Sequence, residues 1–285
     1  MSFRVIAMRM VPALALITLG ISGVAVGTAS AGTASVPHRT HGAQPPPVDH
    51  QLCYNASGTH FSIPSGVRLI NQFSPNGFIP VISSTLTVHC NPVQKTLPSG
   101  QVFPITNPNA HLACFPIAVP SPQPTPTVVV TNQFGSATLV PAQPNLLCAP
   151  SWKSLTGPPG KTPTTPPGLN HFTCYPVSVK SGAYKPPVVL LQDEFAHASV
   201  SAQVSPIPAE LCLPTEKILP TGQVFPIINP SQHLLCFPVS PTPIVSQVWD
   251  ENQFGTSPVS IKATKWLCPP STKIVVGPGR IHVGP

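Results

Sequence analysis

The chain carries one cysteine-containing pattern four times, and this repeat constrains its fold more than any other feature. Each copy begins with His-x-x-Cys-aromatic, and the histidines are His50, His111, His171 and His233. Each copy ends with Cys-x-Pro-x-x-Lys, and the lysines are Lys95, Lys153, Lys217 and Lys273. The motifs use every cysteine, two per unit: Cys53, Cys90, Cys114, Cys148, Cys174, Cys212, Cys236 and Cys268. The first cysteines of successive units lie 61, 60 and 62 residues apart, so the unit is close to 60 residues long.

A longer period overlies the first. The segment Leu97-Pro-Ser-Gly-Gln-Val-Phe-Pro-Ile105 returns as Leu219-Pro-Thr-Gly-Gln-Val-Phe-Pro-Ile227, 122 residues later. The segment between units two and three is different and rich in Pro, Gly and Thr, as expected for a linker. The duplicated object is therefore a pair of units, and the pattern predicts two tandem domains.

Composition favours extended backbone, because the chain has 42 prolines and only 7% charged residues. Four β-branched runs predict short strands: Val67 to Gln72, Thr127 to Asn132, Val188 to Gln192 and Val245 to Asp250. The predicted fold is all-β, with two small β-sandwich or barrel-like domains, each built from two disulfide-bonded repeats of about 60 residues. The limits are a signal peptide at 1–31, a disordered linker at 32–49, domain one at 50–155 (repeats 50–95 and 111–153), a second linker at 156–169, domain two at 170–275 (repeats 171–217 and 233–273) and a tail at 276–285.

The first residues predict export. Arg4 and Arg9 precede an apolar stretch, and Ala29-Ser30-Ala31 forms a cleavage site of small residues. An uncleaved membrane anchor is the alternative, because the apolar stretch approaches the ~18 residues that span a bilayer. Cleavage after Ala31 predicts a secreted or cell-envelope protein without a membrane contact.

Cysteines of an exported chain are expected to pair. Pairing within each unit uses all eight: Cys53–Cys90, Cys114–Cys148, Cys174–Cys212 and Cys236–Cys268. Bridges from each unit to the next would leave Cys53 and Cys268 unpaired unless the chain ends met. An exchange of partners between the paired units is a further alternative, since spacing alone does not determine connectivity.

Asn-Gln-Phe recurs after the predicted strands, and unit three has Asp193-Glu194-Phe195 in its place. We interpret it as a turn in which the Asn side chain bonds nearby backbone and Phe enters the core. The alternative is a repeated polar binding edge made of Asn71, Gln72, Asn132, Gln133, Asn252 and Gln253. The pairs Asp193-Glu194 and Asp250-Glu251 are expected to be solvated turn charges, because adjacent strand residues point to opposite faces.

The function expected from these features is structural or adhesive rather than enzymatic. No phosphate loop, nucleophile elbow or metalloprotease motif occurs, so we expect no catalytic, cofactor-binding or metal-binding residues. The formal charge of +7 falls to +5 once Arg4 and Arg9 are removed. The remaining Lys and Arg are scattered, which argues against nucleic acid and suggests a solvated surface. Possible partners are a cell-wall polymer, a glycan or another surface protein.

Two other functions are compatible with the sequence. A secreted hydrolase or carbohydrate-active enzyme would place its site between the domains and use the departures of unit three, Asp193, Glu194 and His197. A metal-binding protein would use the four motif histidines and would require free thiols.

The motifs together resemble an uncharacterised domain family of secreted bacterial and archaeal proteins, often present in tandem. The resemblance spans about 50 to 273 and is closest at Leu147-Cys-Ala-Pro-Ser-Trp-Lys153 and Leu211-Cys-Leu-Pro-Thr-Glu-Lys217. Unit one departs at His89, and unit three lacks the Asn-Gln-Phe-Gly turn. The resemblance implies export and repetition, and it implies no activity.

Overall fold

A computed structural model describes residues 48–161, 166, 168–196, 198–276 and 281–282. These residues form strands and no helix, so no described helix could cross a membrane. The predicted signal peptide, the linker up to residue 47 and most of the tail lie outside the described residues. The strands are β1 (Gln51–Gly58), β2 (Arg68–Ile70), β3 (Val81–Ile82), β4 (Leu86–Pro92), β5 (Gln94–Thr96), β6 (Val102–Phe103), β7 (His111–Ala118), β8 (Val128–Asn132), β9 (Gly135–Pro141), β10 (Leu146–Ser154), β11 (His171–Tyr184), β12 (Val189–Gln192), β13 (Val200–Ala202), β14 (Glu210–Ile218), β15 (Val224–Phe225), β16 (His233–Pro238), β17 (Pro243–Asn252), β18 (Gly255–Cys268), β19 (Pro270–Val276) and β20 (Ile281–His282).

The all-β class is confirmed, and a strand lies in each of the four β-branched runs. These strands are β2, β8, β12 and β17, of which β2 is shorter than predicted and β17 longer. The motif histidines stand at strand entrances: β7, β11 and β16 begin on them, and β1 begins one residue after His50. The repeated His-x-x-Cys therefore marks the beginning of a strand in each unit.

Eight cysteine-bearing strands form a closed ring. Their order is β1, β4, β7, β10, β11, β14, β16 and β18, and every neighbouring pair is antiparallel. β18 then pairs with β1, with Gln51 opposite Cys268, so the last unit closes onto the first. Each unit contributes two adjacent strands to this ring. The first and last units therefore meet, although the bridges stay within units.

The cysteines bridge Cys53–Cys90, Cys114–Cys148, Cys174–Cys212 and Cys236–Cys268, the within-unit pairs favoured by the sequence. All eight side chains face the interior of the ring, beside Leu112, Phe172 and Leu234. Bridges of different units touch, since the Sγ atoms of Cys53 and Cys268 are 3.7 Å apart and those of Cys148 and Cys174 are 3.8 Å apart. The space left inside is about 10 Å³, at the lower limit for one water molecule. Disulfide sulfur thus fills much of the ring's core.

A second apolar core covers the outside of the ring. Side chains alternate along each strand, so in β7 Leu112 and Cys114 face inward while Ala113 and Phe115 face outward. The outward set packs under the longer hairpins β8–β9 and β17–β18 and under the loops between strands. Both faces of the ring strands are consequently buried.

Strand pairing joins the two halves of the sequence at several places. β8 pairs with β19, β9 with β11, and β10 with β17. A separate four-stranded sheet has the order β13-β12-β5-β6 and also combines strands of units one and three. The limits 50–155 and 170–275 stay a prediction about the duplicated sequence, while the described strands of the two halves are hydrogen-bonded into shared sheets.

Candidate functional site: the buried lysine clusters

The lysine that ends each unit is buried against an aromatic ring of the following unit. The Nζ atoms lie 4.4–5.1 Å from the ring centroids in the pairs Lys95–Phe134, Lys153–Phe195, Lys217–Phe254 and Lys273–Phe73. The fourth lysine meets the phenylalanine of the first unit, so the arrangement follows the closed ring. A cation or amine over a ring face is stabilised by the ring's quadrupole. Four equivalent lysine clusters result, one at each junction between units.

The Asn-Gln-Phe motif forms the turn that supplies each phenylalanine. In every unit the side-chain Oδ1 of the first motif residue accepts a hydrogen bond from the backbone N–H of the phenylalanine, at 2.8–3.0 Å, including Asp193 in unit three. Phe73, Phe134 and Phe254 are buried. The turn interpretation of the motif is therefore confirmed.

The candidate binding amides point mostly into these clusters. Asn71 and Asn252 are buried, and Asn71 donates to the hydroxyl of Tyr175 at 2.9 Å. Gln133 lies 3.0 Å from Nε2 of His50, and Gln72 accepts from Lys273. The remaining two amides behave alike: Asn132 donates to Ser271, and Gln253 lies beside His171. A binding role for the six amides stays a prediction.

Burial lowers the pKa values of the four cluster lysines to near neutral pH. It lowers the pKa of Lys217 to about 6, of Lys95 and Lys153 to about 7, and of Lys273 to about 8. Desolvation disfavours the charged amine and is the largest cause in each. The neighbouring histidines respond in the same way: burial, and then the adjacent lysine, lower the pKa of His50 to about 3 and of His233 to about 4. These groups are not the solvated surface charges expected from the sequence, and that expectation is wrong for the four lysines.

The amine of Lys217 has no hydrogen-bond partner among the described residues, although the side chain is fully buried. It lies 4.2 Å from the ring of Phe225. We expect Lys217→Met to raise the free energy of unfolding by about 1–2 kcal/mol, because an unpaired buried polar group is removed. Lys95→Met is the matched control: its amine lies 2.9 Å from Nε2 of His50, so the same change is expected to lower stability. Urea denaturation of both variants measures the difference, and equal losses would contradict the prediction.

The second cluster departs from the other three. Here the Nζ of Lys153 donates to Oδ1 of Asn91 at 2.7 Å and contacts the carboxylate of Glu194. Nδ2 of Asn91 donates in turn to Oδ2 of Asp193 at 3.0 Å, and the Tyr54 hydroxyl donates to the same oxygen at 2.6 Å. An amine, a carboxamide and a carboxylate are thus joined in one buried chain of hydrogen bonds.

Two histidines extend this network. Nδ1 of His111 lies 3.2 Å from Oδ1 of Asn91, and the His111 ring is 6.0 Å from that of His89. Nε2 of His89 lies 3.0 Å from Oδ2 of Asp250, and both side chains are fully buried. Burial lowers the pKa of His89, an effect that the Asp250 carboxylate opposes. The network therefore gathers residues from all four units.

The acidic residues of this region are not solvated turn charges. Asp193, Asp250 and Glu251 are buried, and only the side chain of Glu194 is substantially exposed. Asp193 and Glu194 follow β12 in the turn, whereas Asp250 and Glu251 lie within β17 and are both buried, so the rule that adjacent strand residues face opposite ways predicted neither pair correctly. The hydrolase hypothesis stays a prediction, with Asp193 hydrogen-bonded internally and His197 outside the described residues.

The metal hypothesis loses its sulfur ligands, because the structure pairs all eight cysteines. Within the described ranges no three His, Cys, Asp or Glu side chains are grouped to hold an ion. The four motif histidines are instead distributed one to each lysine cluster.

A surface cavity of about 330 Å³ adjoins the first cluster. Its walls include His50, Phe103, Pro104 and Gln133. Lys95 lies directly behind this wall, 4.2 Å from the Phe103 ring centroid. The cavity is largely apolar with a few amide and imidazole groups, which is the composition of many small-ligand sites.

Sequence reasoning missed the lysine clusters, Asn91 and Tyr54. The lysine was recurrent in all four copies of a chain with few charges, and that recurrence was the available signal. The position after the second cysteine is Asn91 in unit one but Ala149, Leu213 and Pro269 elsewhere. The role of a residue that departs from the repeat, such as Asn91, can be recognised only when the ring shows which residues of other units lie beside it.

The closed ring of strands, the buried disulfide bridges and the repeated turns together define the class of the protein. It is a disulfide-bonded all-β repeat protein. Residues 111–269, more than half of the chain, match the model of a family described as a repeat of unknown function, DUF7450. The chain belongs to this family. No curated protein and no solved structure matches it. Four disulfides are compatible with an extracellular location.

Proposed function

We propose that this chain is a secreted or cell-envelope structural protein that holds a cell-wall polymer or another glycan through two repeated hairpins. The main support for this proposal comes from hairpins β5–β6 and β14–β15, which expose the same residues. The two hairpins lie 122 residues apart in the sequence. Val102 is 49% exposed and Val224 is 48% exposed, and the prolines two residues later are also exposed. Phe103 and Phe225 pack over the cluster lysines, whereas Val102 and Val224 face solvent in both copies, so burial does not explain the two valines.

The two hairpins also have the same backbone geometry. Leu97 N–H donates to the carbonyl of Gln101, and Leu219 N–H donates to that of Gln223, both at 2.9 Å. Gly100 has φ of 84° and its counterpart in the second hairpin has 85°, so each turn needs glycine's access to the left-handed region. Rigid presentation lowers the entropy lost on binding.

The chemistry at the hairpins suits a sugar chain. Proline and partly buried phenylalanine offer flat apolar surface for a sugar face, and Gln133 beside the first hairpin offers an amide for its hydroxyls. Two sites on one molecule would bind a repeating polymer with an avidity above that of either site. Another surface protein is the remaining partner, and its capture instead of a glycan would contradict the glycan assignment.

Retention of the purified protein on cell walls and on insoluble glycans tests this proposal. We expect Val102→Asp or Val224→Asp alone to weaken retention at least about tenfold, because avidity is lost, and the double variant to abolish it, because neither site remains. Ile207→Asp is the matched control, since Ile207 is 65% exposed and lies outside both hairpins. No retention of the unaltered protein, or full retention of the double variant, would overturn the proposal.

A further inference from the structure

The second lysine cluster differs from the other three in the groups that surround its amine. Lys153 contacts the carboxylate of Glu194 and the carboxamide of Asn91, and this carboxamide donates in turn to the carboxylate of Asp193. Of the equivalent lysines, Lys273 contacts the carboxamide of Gln72, Lys95 contacts His50, and Lys217 has no hydrogen-bonding group among the described residues. Asn91 is fully buried, and the side chain of Lys153 is 1% exposed. An amine and an amide are thus held together where water does not compete.

We propose that Lys153 and Asn91 form an intramolecular isopeptide bond, with the carboxylate of Asp193 as the proton carrier. Nζ of Lys153 is 2.7 Å from Oδ1 of Asn91, which places it within about 4 Å of the amide carbon, since the C=O bond is short. That separation is close to the contact distance from which attack begins. Nδ2 of the same amide is 3.0 Å from Asp193.

The reaction balances without a co-reactant. The Nζ lone pair of Lys153 attacks Cγ of Asn91, and the new C–N bond pushes the carbonyl electrons onto Oδ1. Asp193 accepts a proton from Nζ and delivers it to Nδ2, after which the Cγ–Nδ2 bond breaks and ammonia leaves. One amine and one carboxamide become a secondary amide and one ammonia, with no change of oxidation state.

The surrounding groups suit each stage. Burial lowers the pKa of Lys153 to about 7, so the amine has a free lone pair near neutral pH. With its proton on Nδ1, His111 donates to Oδ1 of Asn91 and would stabilise the negative charge that develops there. The Tyr54 hydroxyl donates to Asp193 and fixes its orientation.

The repeat supports a specific role for these residues. Asn91 replaces Ala149, Leu213 and Pro269 of the other units, and Asp193 replaces an asparagine. The two departures come from units one and three, yet Asn91 contacts the lysine of unit two and Asp193 accepts a hydrogen bond from Asn91. The disulfides close each unit on itself, whereas this bond would join β4 of unit one to β10 of unit two.

Mass spectrometry of the purified, reduced and alkylated protein tests the proposal. Trypsin would not cut after an acylated Lys153, so we expect one branched product joining residues 69–95 to residues 96–161. Its mass should be about 17 Da below the sum of the two peptides, the mass of lost ammonia. Unmodified peptides ending at Lys95 and at Lys153, with no branched product, would overturn the proposal.

Variants separate the reaction from folding. Asp193→Asn and Lys153→Arg should abolish the branched product, whereas Lys217→Met, at an equivalent lysine, should leave it unchanged. Asn91→Asp should still form the bond but lose water, about 18 Da, which distinguishes chemistry from a failure to fold. A branched product that persists in Lys153→Arg would also overturn the assignment.

Discussion

Reduction of the disulfides is expected to unfold the β structure under conditions in which the oxidised protein remains folded. The four bridges close loops with sequence separations of 32 to 38 residues, and each contributes about 4 kcal/mol in the chain-entropy model. Their sum exceeds the stability of about 5–15 kcal/mol typical of folded proteins. The sulfurs also occupy much of the interior of the ring, so reduction disturbs its packing as well. Far-UV circular dichroism in urea, with and without reductant, measures the effect.

A matched pair of variants separates the cross-link from the packing. Replacing both Cys114 and Cys148 by alanine removes one bridge and is expected to cost about 4 kcal/mol or more. Leu112→Ala opens space in the same interior and should cost about 2–5 kcal/mol while leaving every bridge intact. Only the second variant should keep the full response to reductant. A fully reduced protein that unfolds at the oxidised midpoint would refute this account of the fold.

Stability is expected to rise with pH from about 4 to about 10, by several kcal/mol in total. The buried histidines are neutral when folded and take up protons near pH 6.5 when unfolded. The unfolded state therefore binds more protons from the lowered pKa, about 3 for His50 and about 4 for His233, up to 6.5. His111 and His171 act in the same direction. Acidification through this window favours unfolding.

The lysines continue the rise above neutrality. Between the folded pKa, about 6 for Lys217 and about 7 for Lys95, and the ordinary 10.5, the unfolded chain again binds more protons. Groups whose pKa is raised by burial oppose the trend, and Glu210 and Tyr54 are examples. Burial raises the pKa of Glu210 to about 7, so the folded state holds an extra proton between 4.5 and 7, and burial raises the pKa of Tyr54, which reduces stability above pH 10.

Urea denaturation at successive pH values measures this profile. Lys217→Met should reduce the slope between pH 7 and 10 by up to about 1.4 kcal/mol per pH unit, because one differential proton is removed. Replacing the exposed Lys262 by methionine is the control and should leave the slope unchanged. A flat profile from pH 7 to 10 in the unaltered protein would contradict the burial of the four lysines.

The features predicted correctly from the sequence are those that depend on the spacing of residues within one unit. Two cysteines per copy favoured pairing within the unit, and the structure has these pairs. The Asn-Gln-Phe turn followed from the hydrogen-bonding habit of asparagine, which Asn132 and Asn252 follow. Both depend on contacts inside one repeat, where a period in the sequence corresponds directly to a repeat in space.

Contacts between units could not be read in this way. The lysine that follows the second cysteine is expected to be solvated when only its own unit is considered, because the aromatic ring that covers it belongs to the next unit of the ring. Lys153 meets Phe195, 42 positions later, and Lys273 meets Phe73, 200 positions earlier. Likewise His89 and Asp250 are remote in the chain and 3.0 Å apart in the fold. Closure of the ring supplies the missing information.

Ring closure also bears on the origin of the duplication. A chain of only two units would own four of the eight ring strands and would leave two unpaired edges, which invite association with another molecule. A second identical copy satisfies both edges at once, as in a two-fold symmetric dimer. Duplication of the gene of such a homodimer, followed by fusion of the two copies, would leave this 122-residue period, and only a fused chain can carry Asn91 and Asp193 in one half each.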